Sequence, residues 1–212
     1  MIDTVKITDK DALIVVDVQY DFCPGGSLAV NGGDEVVPVI NEIAGRFDNV
    51  VLTQDWHPPG HKSFASEWKD KKPFEYIDMP YGKQILWPDH CVWGTKGAEI
   101  HGKLNIMHNQ LIIRKGFRRE MDSYSAFFEN DGKTPTGLGG YLKERGLNRI
   151  FLVGLATDFC VKWSALDGRK LGFDVHVIEE GCRAIDLEGS LEKAWEEMKS
   201  AGVKRVWKSQ II

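Results

Sequence analysis

Cys160 stands where an apolar segment gives way to a helical pattern. Residues 150–153 are short, apolar and rich in branched side chains, which predicts a buried strand. The helix predicted after it can be capped by Thr157 or Asp158. A thiol at a helix N-terminus meets the positive end of the helix dipole, which favours the thiolate. Cys160 is therefore a candidate nucleophile, and a small buried packing residue is the alternative.

Two other predicted strands end in groups that could activate a thiol. Asp17 follows the apolar run at residues 12–16, and Lys115 ends a run that begins at residue 111. Because parallel strands end at the same edge of a sheet, we expect these side chains to meet Cys160 there. A carboxylate can accept the thiol proton, and an ammonium group can lower the thiol pKa. Taken singly, Asp17 is also typical of a turn and Lys115 of a solvated strand end.

The loop after the second predicted strand contains potential metal ligands. Asp55 and His57 are two residues apart on an extended segment, so both side chains can point the same way. His90 would have to return from the far end of the loop to join them. Aspartate and histidine bind Zn²⁺, Fe²⁺ or Mn²⁺, and three ligands with open positions indicate a catalytic or substrate-binding site. Histidines that only decorate an aromatic loop remain an alternative, and a role for His61 stays open.

These side chains need a scaffold that brings strand ends together. Predicted strands cover residues 12–16, 49–53, 111–115, 150–153, 174–178 and 203–207, and predicted helices cover 34–47, 161–171 and 190–201, with some helix near 98–104. Apolar strands joined by helices favour a mostly parallel sheet covered on both faces. We therefore expect an α/β, Rossmann-like, three-layer single domain over residues 1–212 with a six-stranded sheet. Residues 54–110 have little periodicity and are expected to form an ordered excursion that holds the metal site.

Composition excludes several classes of protein. The chain has 212 residues and a formal net charge of -4, which gives no electrostatic case for binding nucleic acid or an anionic membrane. The four cysteines are widely spaced and form no C-x-x-C pair, so a disulfide framework is not expected. No apolar run approaches the roughly 20 residues of a membrane span. With a polar N-terminal segment that does not resemble a signal peptide, these features predict a cytoplasmic protein.

Six segments of the chain, in order, resemble the nicotinamidases. These enzymes are also called pyrazinamidases and belong to the isochorismatase-like cysteine hydrolases. The segments are ALIVVDVQYDF with Asp17, QDWHPPGHKSFAS with Asp55 and His57, WPDHC with His90, RKG with Lys115, DSYSAFF, and GLATDFCV with Cys160. The resemblance runs from about residue 12 to residue 198, and the order of six motifs makes it specific.

The resemblance implies the hydrolysis of nicotinamide to nicotinate and ammonia in NAD salvage, with pyrazinamide as a further substrate. Cys160 would attack the amide carbon and form a thioester. Asp17 would carry the proton and later activate water, while Lys115 would stabilise the thiolate and orient Asp17. Backbone N–H groups of Ala156 and Cys160 would form the oxyanion hole, and the bond between Leu155 and Ala156 would be a cis peptide.

The resemblance also implies one divalent metal ion that binds the pyridine nitrogen of the substrate. Its ligands would be Asp55, His57 and His90; zinc is the first choice, with iron and manganese as alternatives. The residues that match the substrate pocket are Phe22 and Trp87, which stack on the ring, and Tyr124, which forms a wall. The expected partner is a small-molecule substrate, with no nucleic acid and no membrane. Assembly into a homo-oligomer is left open.

Two other functions are compatible with parts of this pattern. A related hydrolase could act on another amide, a carbamoyl group or a vinyl ether, but isochorismatase-type members lack the Asp55, His57 and His90 metal set. A metal-binding or redox-sensing domain could reuse the fold without catalysis. That last function predicts that Cys160→Ala keeps its biological activity.

Overall fold

Strands dominate the computed structural model, which describes residues 4–212. In chain order they are β1 (Asp11–Val16), β2 (Asn49–Asp55), β3 (Tyr76–Met79), β4 (Gly82–Ile85), β5 (Leu111–Lys115), β6 (Arg149–Leu155), β7 (Asp174–Arg183) and β8 (Lys204–Val206). Six of them form one sheet in the order β5-β2-β1-β6-β7-β8, and every neighbouring pair in it is parallel. The hairpin β3–β4 is antiparallel and separate. The predicted six-stranded parallel sheet is thus confirmed.

Helices cover both faces of this sheet. They are α1 (Val36–Ala44), α2 (Leu138–Glu144), α3 (Lys162–Lys170) and α4 (Ser190–Ser200). Side chains alternate along β1. Leu13 and Val15 pack with apolar residues of α1, whereas Ile14 and Val16 pack with those of α2, α3 and α4. Both faces of β1 are therefore buried, which explains its unbroken apolar sequence and confirms the three-layer architecture.

A glycine allows β6 to approach β1 closely beside the site. Gly154 has a φ of 119°, and a Cβ at this position would lie 2.0 Å from the carbonyl oxygen of Val16. Only glycine fits this combination of backbone angle and space. Because Val16 and Gly154 lie so close, Asp17, the residue that follows β1, lies beside the turn that follows β6.

The structure corrects two predictions about local structure. Residues 98–104 form turns rather than a helix, because their backbone groups pair with the loop after β1. The amide of Tyr20 donates to the carbonyl of Glu99, and the amide of His101 donates to the carbonyl of Val18. The short helix α2 was not predicted, since two of its seven residues are glycines of low helix propensity. The hairpin β3–β4 was also missed, because only its last two residues are buried.

The long excursion between β2 and β5 contains the hairpin and a series of turns. Among residues 4–212, every helix is too short or too polar to cross a membrane. The description of residues 1–212 as one domain stays a prediction.

Candidate active site

The ends of β1, β5 and β6 bring three reactive side chains to one point. The ammonium nitrogen of Lys115 lies 2.8 Å from Asp17 Oδ2 and 3.5 Å from Cys160 Sγ. It also donates to the carbonyl of Ser123 at 2.9 Å. All three reactive side chains are buried. The structure therefore places a nucleophile, a carboxylate and a cation together at one edge of the parallel sheet.

Thr53 holds one oxygen of Asp17 and leaves the other available. The Thr53 hydroxyl donates to Asp17 Oδ1 at 2.6 Å and accepts from the Asp17 amide at 3.1 Å. Oδ2 is buried and makes no hydrogen bond within the described residues, although it is ion-paired with Lys115. Burial raises the pKa of Asp17 to about 6, even though Lys115 acts to lower it. This oxygen is placed to accept a proton.

Cys160 lies in a single π-helical turn, Thr157–Val161, that precedes α3. Burial is the main reason that the pKa of this thiol lies well above its usual value; Lys115 acts to lower it, and the carboxylates of Asp17 and Asp55 act to raise it further. Lys115 thus acts in the expected direction, toward a lower thiol pKa, but burial outweighs it. The free protein holds a thiol, and its reaction requires a base.

The segment around the turn differs from the prediction in one respect and agrees in another. Thr157 and Asp158 do not cap a helix; Asp158 instead accepts from the amides of Ile185 (3.1 Å) and Asp186 (2.8 Å). This carboxylate thus ties the loop after β7 to the cysteine turn. The peptide bond between Leu155 and Ala156 is cis, as the resemblance predicts.

A second cluster, Asp55, His57 and His90, is built for a cation. Asp55 Oδ2 lies 3.6 Å from His57 Nε2 and 3.8 Å from His90 Nε2. The Nδ1 atoms of the two rings each lie 2.8 Å from a carbonyl oxygen, that of Gly116 or Pro88. A ring nitrogen beside a carbonyl carries a proton, so Nε2 is the atom of each ring that a metal ion can bind once the ring is neutral. Metal-binding histidines are oriented in this way.

The donor atoms fit a divalent metal ion. They all lie within 4.8 Å of one another, and His57 Nε2 is a buried atom without a hydrogen-bond partner among residues 4–212. Burial and the neighbouring His57 lower the pKa of His90 to about 4, which leaves its ring neutral. Burial acts to raise the pKa of Asp55, but Lys115 and His57 outweigh it and hold that pKa well below the usual range. A carboxylate and two imidazoles with open positions are typical of zinc, iron or manganese sites.

His61 lies outside the Asp55, His57 and His90 cluster, although one of its ring nitrogens lies within 4.8 Å of donor atoms of His57 and Asp122. Its Nδ1 accepts from the Ser63 amide at 3.2 Å, and its Nε2 lies 3.3 Å from the carbonyl of Met121. Both ring nitrogens are therefore in use, the second as a donor. The His61 ring lies against that of His57, with 4.4 Å between centroids. Its contacts indicate that it supports the orientation of His57.

Asp55 joins the metal-ligand cluster to the catalytic one. Its Oδ1 accepts a hydrogen bond from Lys115, and its Oδ2 faces the two histidines. Carboxylate oxygens of Asp17 and Asp55 also lie within 4.8 Å of Cys160 Sγ. That group does not offer a second metal site, because the Lys115 ammonium already contacts all three residues.

Backbone pairing brings His90 back to the start of the excursion. His57 forms a parallel bridge with Val92: its amide donates to the carbonyl of Cys91 at 3.0 Å, and its carbonyl accepts from the amide of Trp93 at 2.9 Å. The residue before this bridge segment is His90. The two ends of the ligand set are thus joined by main-chain hydrogen bonds, which sequence spacing does not reveal.

A narrow cleft connects Cys160 with the metal-ligand cluster. The residues that line it are Phe22, Leu28, Asp55, Trp87, His90, Asp122, Tyr124, Ala156, Phe159, Cys160 and Ile185. The structure therefore brings the three pocket residues expected from the resemblance to the same cleft as the thiol and two of the ligands. Larger cavities exist elsewhere, but they contain neither Cys160 nor the ligand cluster.

Two residues that support this site were missed in the sequence. Thr53 could have been noticed as a polar residue two positions before Asp55 in an otherwise apolar strand, where side chains two apart share a face. Gln84 gave no signal. It is fully buried on β4 and donates to Asp122 Oδ2 and to the Tyr124 hydroxyl, both at 2.9 Å. Its role depends on the unpredicted hairpin.

A parallel α/β sheet with a buried cysteine, a carboxylate and an ammonium group at its strand ends defines the class of cysteine hydrolases. A family model for the isochorismatase domain matches residues 11–206. The nicotinamidase of Acinetobacter baylyi is 55% identical over 207 residues, which are 98% of this chain and 97% of that protein. The chain belongs to the isochorismatase family and, within it, to the nicotinamidases.

Solved structures agree with this assignment. The fold is similar to that of a nicotinamidase and pyrazinamidase from Acinetobacter baumanii, with a TM-score of 0.94 and 57% identity, over 95% of this chain and 98% of the other. It is also similar to the pyrazinamidase of Pyrococcus horikoshii in complex with zinc, with a TM-score of 0.77 and 35% identity, over 93% and 99% of the two chains.

Proposed function

We propose that this protein hydrolyses nicotinamide to nicotinate and ammonia, as a step in NAD salvage. One observation carries the proposal: a single cleft has a thiol with its base at one end and an Asp/His/His cluster at the other. A pyridine carboxamide carries a group for each end, an electrophilic amide carbon and a ring nitrogen. The assignment also rests on membership of the nicotinamidases.

In the first step, Cys160 Sγ attacks the amide carbon while Asp17 Oδ2 accepts the thiol proton. The thiol needs this base because its pKa is raised well above the usual value. The resulting oxyanion is stabilised by the backbone N–H groups of Ala156 and Cys160. When the tetrahedral intermediate collapses, the C–N bond breaks, and Asp17 returns the proton to the departing ammonia.

The second half of the reaction removes the acyl group from Cys160. Asp17, again a carboxylate, accepts a proton from a water molecule that attacks the thioester carbon. The C–S bond breaks and the proton returns to sulfur, which releases nicotinate and restores the thiol. Lys115 contacts both the sulfur and Asp17, so it stabilises the thiolate that exists during each step and keeps Asp17 in position.

Asp55, His57 and His90 would hold one divalent metal ion, with zinc as the first choice and iron or manganese as alternatives. When bound, this ion supplies a Lewis acid that coordinates the pyridine nitrogen and so orients and polarises the ring. The fit rests on His57 Nε2, which has no hydrogen-bond partner among the described residues, and on the 3.6 and 3.8 Å distances from the two Nε2 atoms to Asp55 Oδ2.

Phe22 and Trp87 are proposed to stack on the substrate ring, and Tyr124 to form a wall of the pocket. Pyrazinamide differs from nicotinamide by one ring nitrogen in place of a C–H group, so we infer that it is also a substrate. The small-molecule substrate is the only partner that the site requires. The cytoplasmic location expected from the sequence is part of this proposal, whereas assembly into an oligomer is not.

An ammonia-release assay with nicotinamide, after removal and re-addition of divalent metal, tests the proposed function. Carbamoyl and vinyl-ether compounds should not be turned over at comparable rates. The burial and raised thiol pKa of Cys160 argue against redox sensing, since sensor cysteines are accessible and of low pKa. If nicotinamide is not hydrolysed by the metal-loaded protein, the proposal is wrong.

A further inference from the structure

The catalytic cleft is too narrow for an aromatic ring in the conformation observed. Its free volume is about 20 Å³. Pockets for small-molecule ligands usually measure about 300–1,000 Å³. A wall of the cleft must therefore move before a pyridine carboxamide can reach Cys160.

Hydrogen bonds hold two of the aromatic walls in place. The Tyr124 hydroxyl accepts from Gln84 Nε2 at 2.9 Å and from Trp87 Nε1 at 3.1 Å. Gln84 itself is fully buried and donates to Asp122 Oδ2. Separating Tyr124 from Trp87 would leave the Trp87 Nε1–H without its acceptor, which costs about 1–3 kcal/mol for a buried group.

Phe159 has no such restraint and has space beside it. Its ring makes edge contacts with Trp87 and Tyr124, at centroid distances of 4.9 and 5.9 Å. Phe159 and Tyr124 also line a second cavity of about 580 Å³, whose other walls include Leu187 and Trp163. Aromatic contacts of this kind contribute about 0.5–1.5 kcal/mol each beyond the area that they bury. Of the two residues shared by the cavities, Phe159 is therefore the one whose side chain is held by packing alone.

The backbone of Phe159 stays fixed while its ring moves. Its amide donates to the carbonyl of Ala156 at 3.1 Å, and the next amide but one, that of Val161, donates to the same oxygen. Rotation about the side-chain bonds therefore changes the width of the cleft without moving the adjacent Cys160.

We propose that Phe159 is the gate and the size filter of the catalytic cleft. Its ring rotates into the neighbouring cavity to admit a pyridine carboxamide, and that cavity is a subsite for an apolar aromatic substituent on the pyridine ring. This inference rests on the proposed function for the identity of the substrate core. It identifies Phe159 as a residue that determines specificity, and it names a class of larger substrates that a variant of the site should accept.

The first test removes the gate. Phe159→Ala joins the cleft to the cavity, so nicotinamides that carry a phenyl group at one ring carbon should become substrates. For at least one position of the phenyl group, we expect kcat/KM relative to nicotinamide to rise about tenfold or more over wild type, the factor that about 1.4 kcal/mol provides. Trp207→Ala, an aromatic truncation at an exposed position outside both cavities, is the matched control and should not change this ratio.

The second test blocks the space into which the ring moves. Leu187→Trp fills the neighbouring cavity without adding atoms to the cleft, so kcat/KM for nicotinamide should fall several-fold while the melting temperature stays close to that of wild type. Unchanged kcat/KM in Leu187→Trp, together with no gain for phenyl-substituted substrates in Phe159→Ala, overturns the proposal.

Calorimetric binding separates this inference from the proposed function. Phenyl-substituted nicotinamides should bind Phe159→Ala about tenfold more tightly than wild type, whether or not they are hydrolysed. Equal affinities for the two proteins would contradict the proposed role of Phe159, even if both hydrolysed nicotinamide normally. Conversely, phenyl-substituted nicotinamides could bind Phe159→Ala more tightly even where nicotinamide releases no ammonia. That result would support the role of Phe159 and contradict the proposed hydrolysis of nicotinamide.

Discussion

The ammonium group of Lys115 lies 2.8 Å from the carboxylate of Asp17, and both side chains are fully buried. The same ammonium contacts Asp55 and the sulfur of Cys160. One cation thus faces two carboxylates, so the immediate surroundings of the thiol carry a net negative charge. The two carboxylates therefore add to burial, the main cause of the raised pKa of the Cys160 thiol, while Lys115 opposes it.

Lys115→Met should be damaging to both stability and activity. It leaves two buried carboxylates without their cation, and breaking a buried pair costs roughly 3–5 kcal/mol. We expect a lower melting temperature and a fall in kcat of about a hundredfold or more, within the range of single electrostatic contacts in active sites. The measurements are thermal unfolding and steady-state ammonia release. A stable, fully active Lys115→Met protein would contradict the role given to this ion pair.

Asp17→Asn should retain the fold and lose the chemistry. The amide has nearly the same shape and can still accept from Thr53 through its oxygen, but it cannot take the thiol proton. A general base contributes typically about 10²–10⁴-fold, so kcat should drop by that factor. Circular dichroism and melting curves serve as controls. Activity within a few-fold of wild type would assign the base to another group.

Cys160→Ala should abolish ammonia release while nicotinamide still binds. The substitution removes the sulfur that attacks the amide carbon and leaves the metal-ligand cluster intact. Calorimetry with nicotinamide and an ammonia assay on the same sample measure the two properties. Substantial turnover by this variant would rule out a thioester mechanism.

The activity should fall on the acid side with an apparent pKa near 6. Burial raises the pKa of Asp17 to about 6, and the reaction needs its carboxylate form. As pH falls below this value Asp17 becomes protonated, so kcat/KM should decrease about tenfold per pH unit. Near-ultraviolet circular dichroism over the same range shows whether the fold persists. An acid limb near the usual carboxyl value of about 4 would indicate that a different group is titrating.

Removal of metal should abolish activity, and re-addition of Zn²⁺, Fe²⁺ or Mn²⁺ should restore it. The apo protein should also melt at a lower temperature, since an ion bound only by the folded state stabilises it. Elemental analysis should find one ion per chain in wild type and much less in His90→Ala. His176→Ala, which removes a buried histidine on β7 that pairs with Asp174, is the matched control and should retain its metal. Full activity in a verified metal-free sample would refute the role of Asp55, His57 and His90.

Much of the scaffold was predictable because its signals are local. The apolar runs of β1, β2 and β6 are buried on both faces of the sheet, which requires apolar side chains on each face. The edge strand β5 differs, since Ile112 and Arg114 are exposed. Some strand boundaries nevertheless differed from the prediction: β2 continues through Asp55, and β7 continues to Arg183. These extensions contain polar residues, whose place in the sheet is decided by neighbouring strands rather than by hydrophobic pattern.

The sequence by itself determined that Asp17, Lys115 and Cys160 would meet, because each follows or ends a strand and parallel strands end at one edge. Only the tertiary structure decided how they share protons. The pKa of the thiol depends on its burial and on Asp55, which belongs to a strand whose end the sequence did not locate. Which charges surround the buried Cys160 sulfur depends on how the strands pack in three dimensions.

Tertiary structure also decided which histidines serve the metal and how the cleft is closed. The bridge between His57 and Val92 returns His90 to the site, while hydrogen bonds to both ring nitrogens occupy His61. Gln84 fixes Tyr124 from a hairpin without a clear sequence pattern, and Phe159 stands between two cavities. These contacts join residues that are far apart along the chain through an excursion without periodicity, so spacing in the sequence carries no information about them.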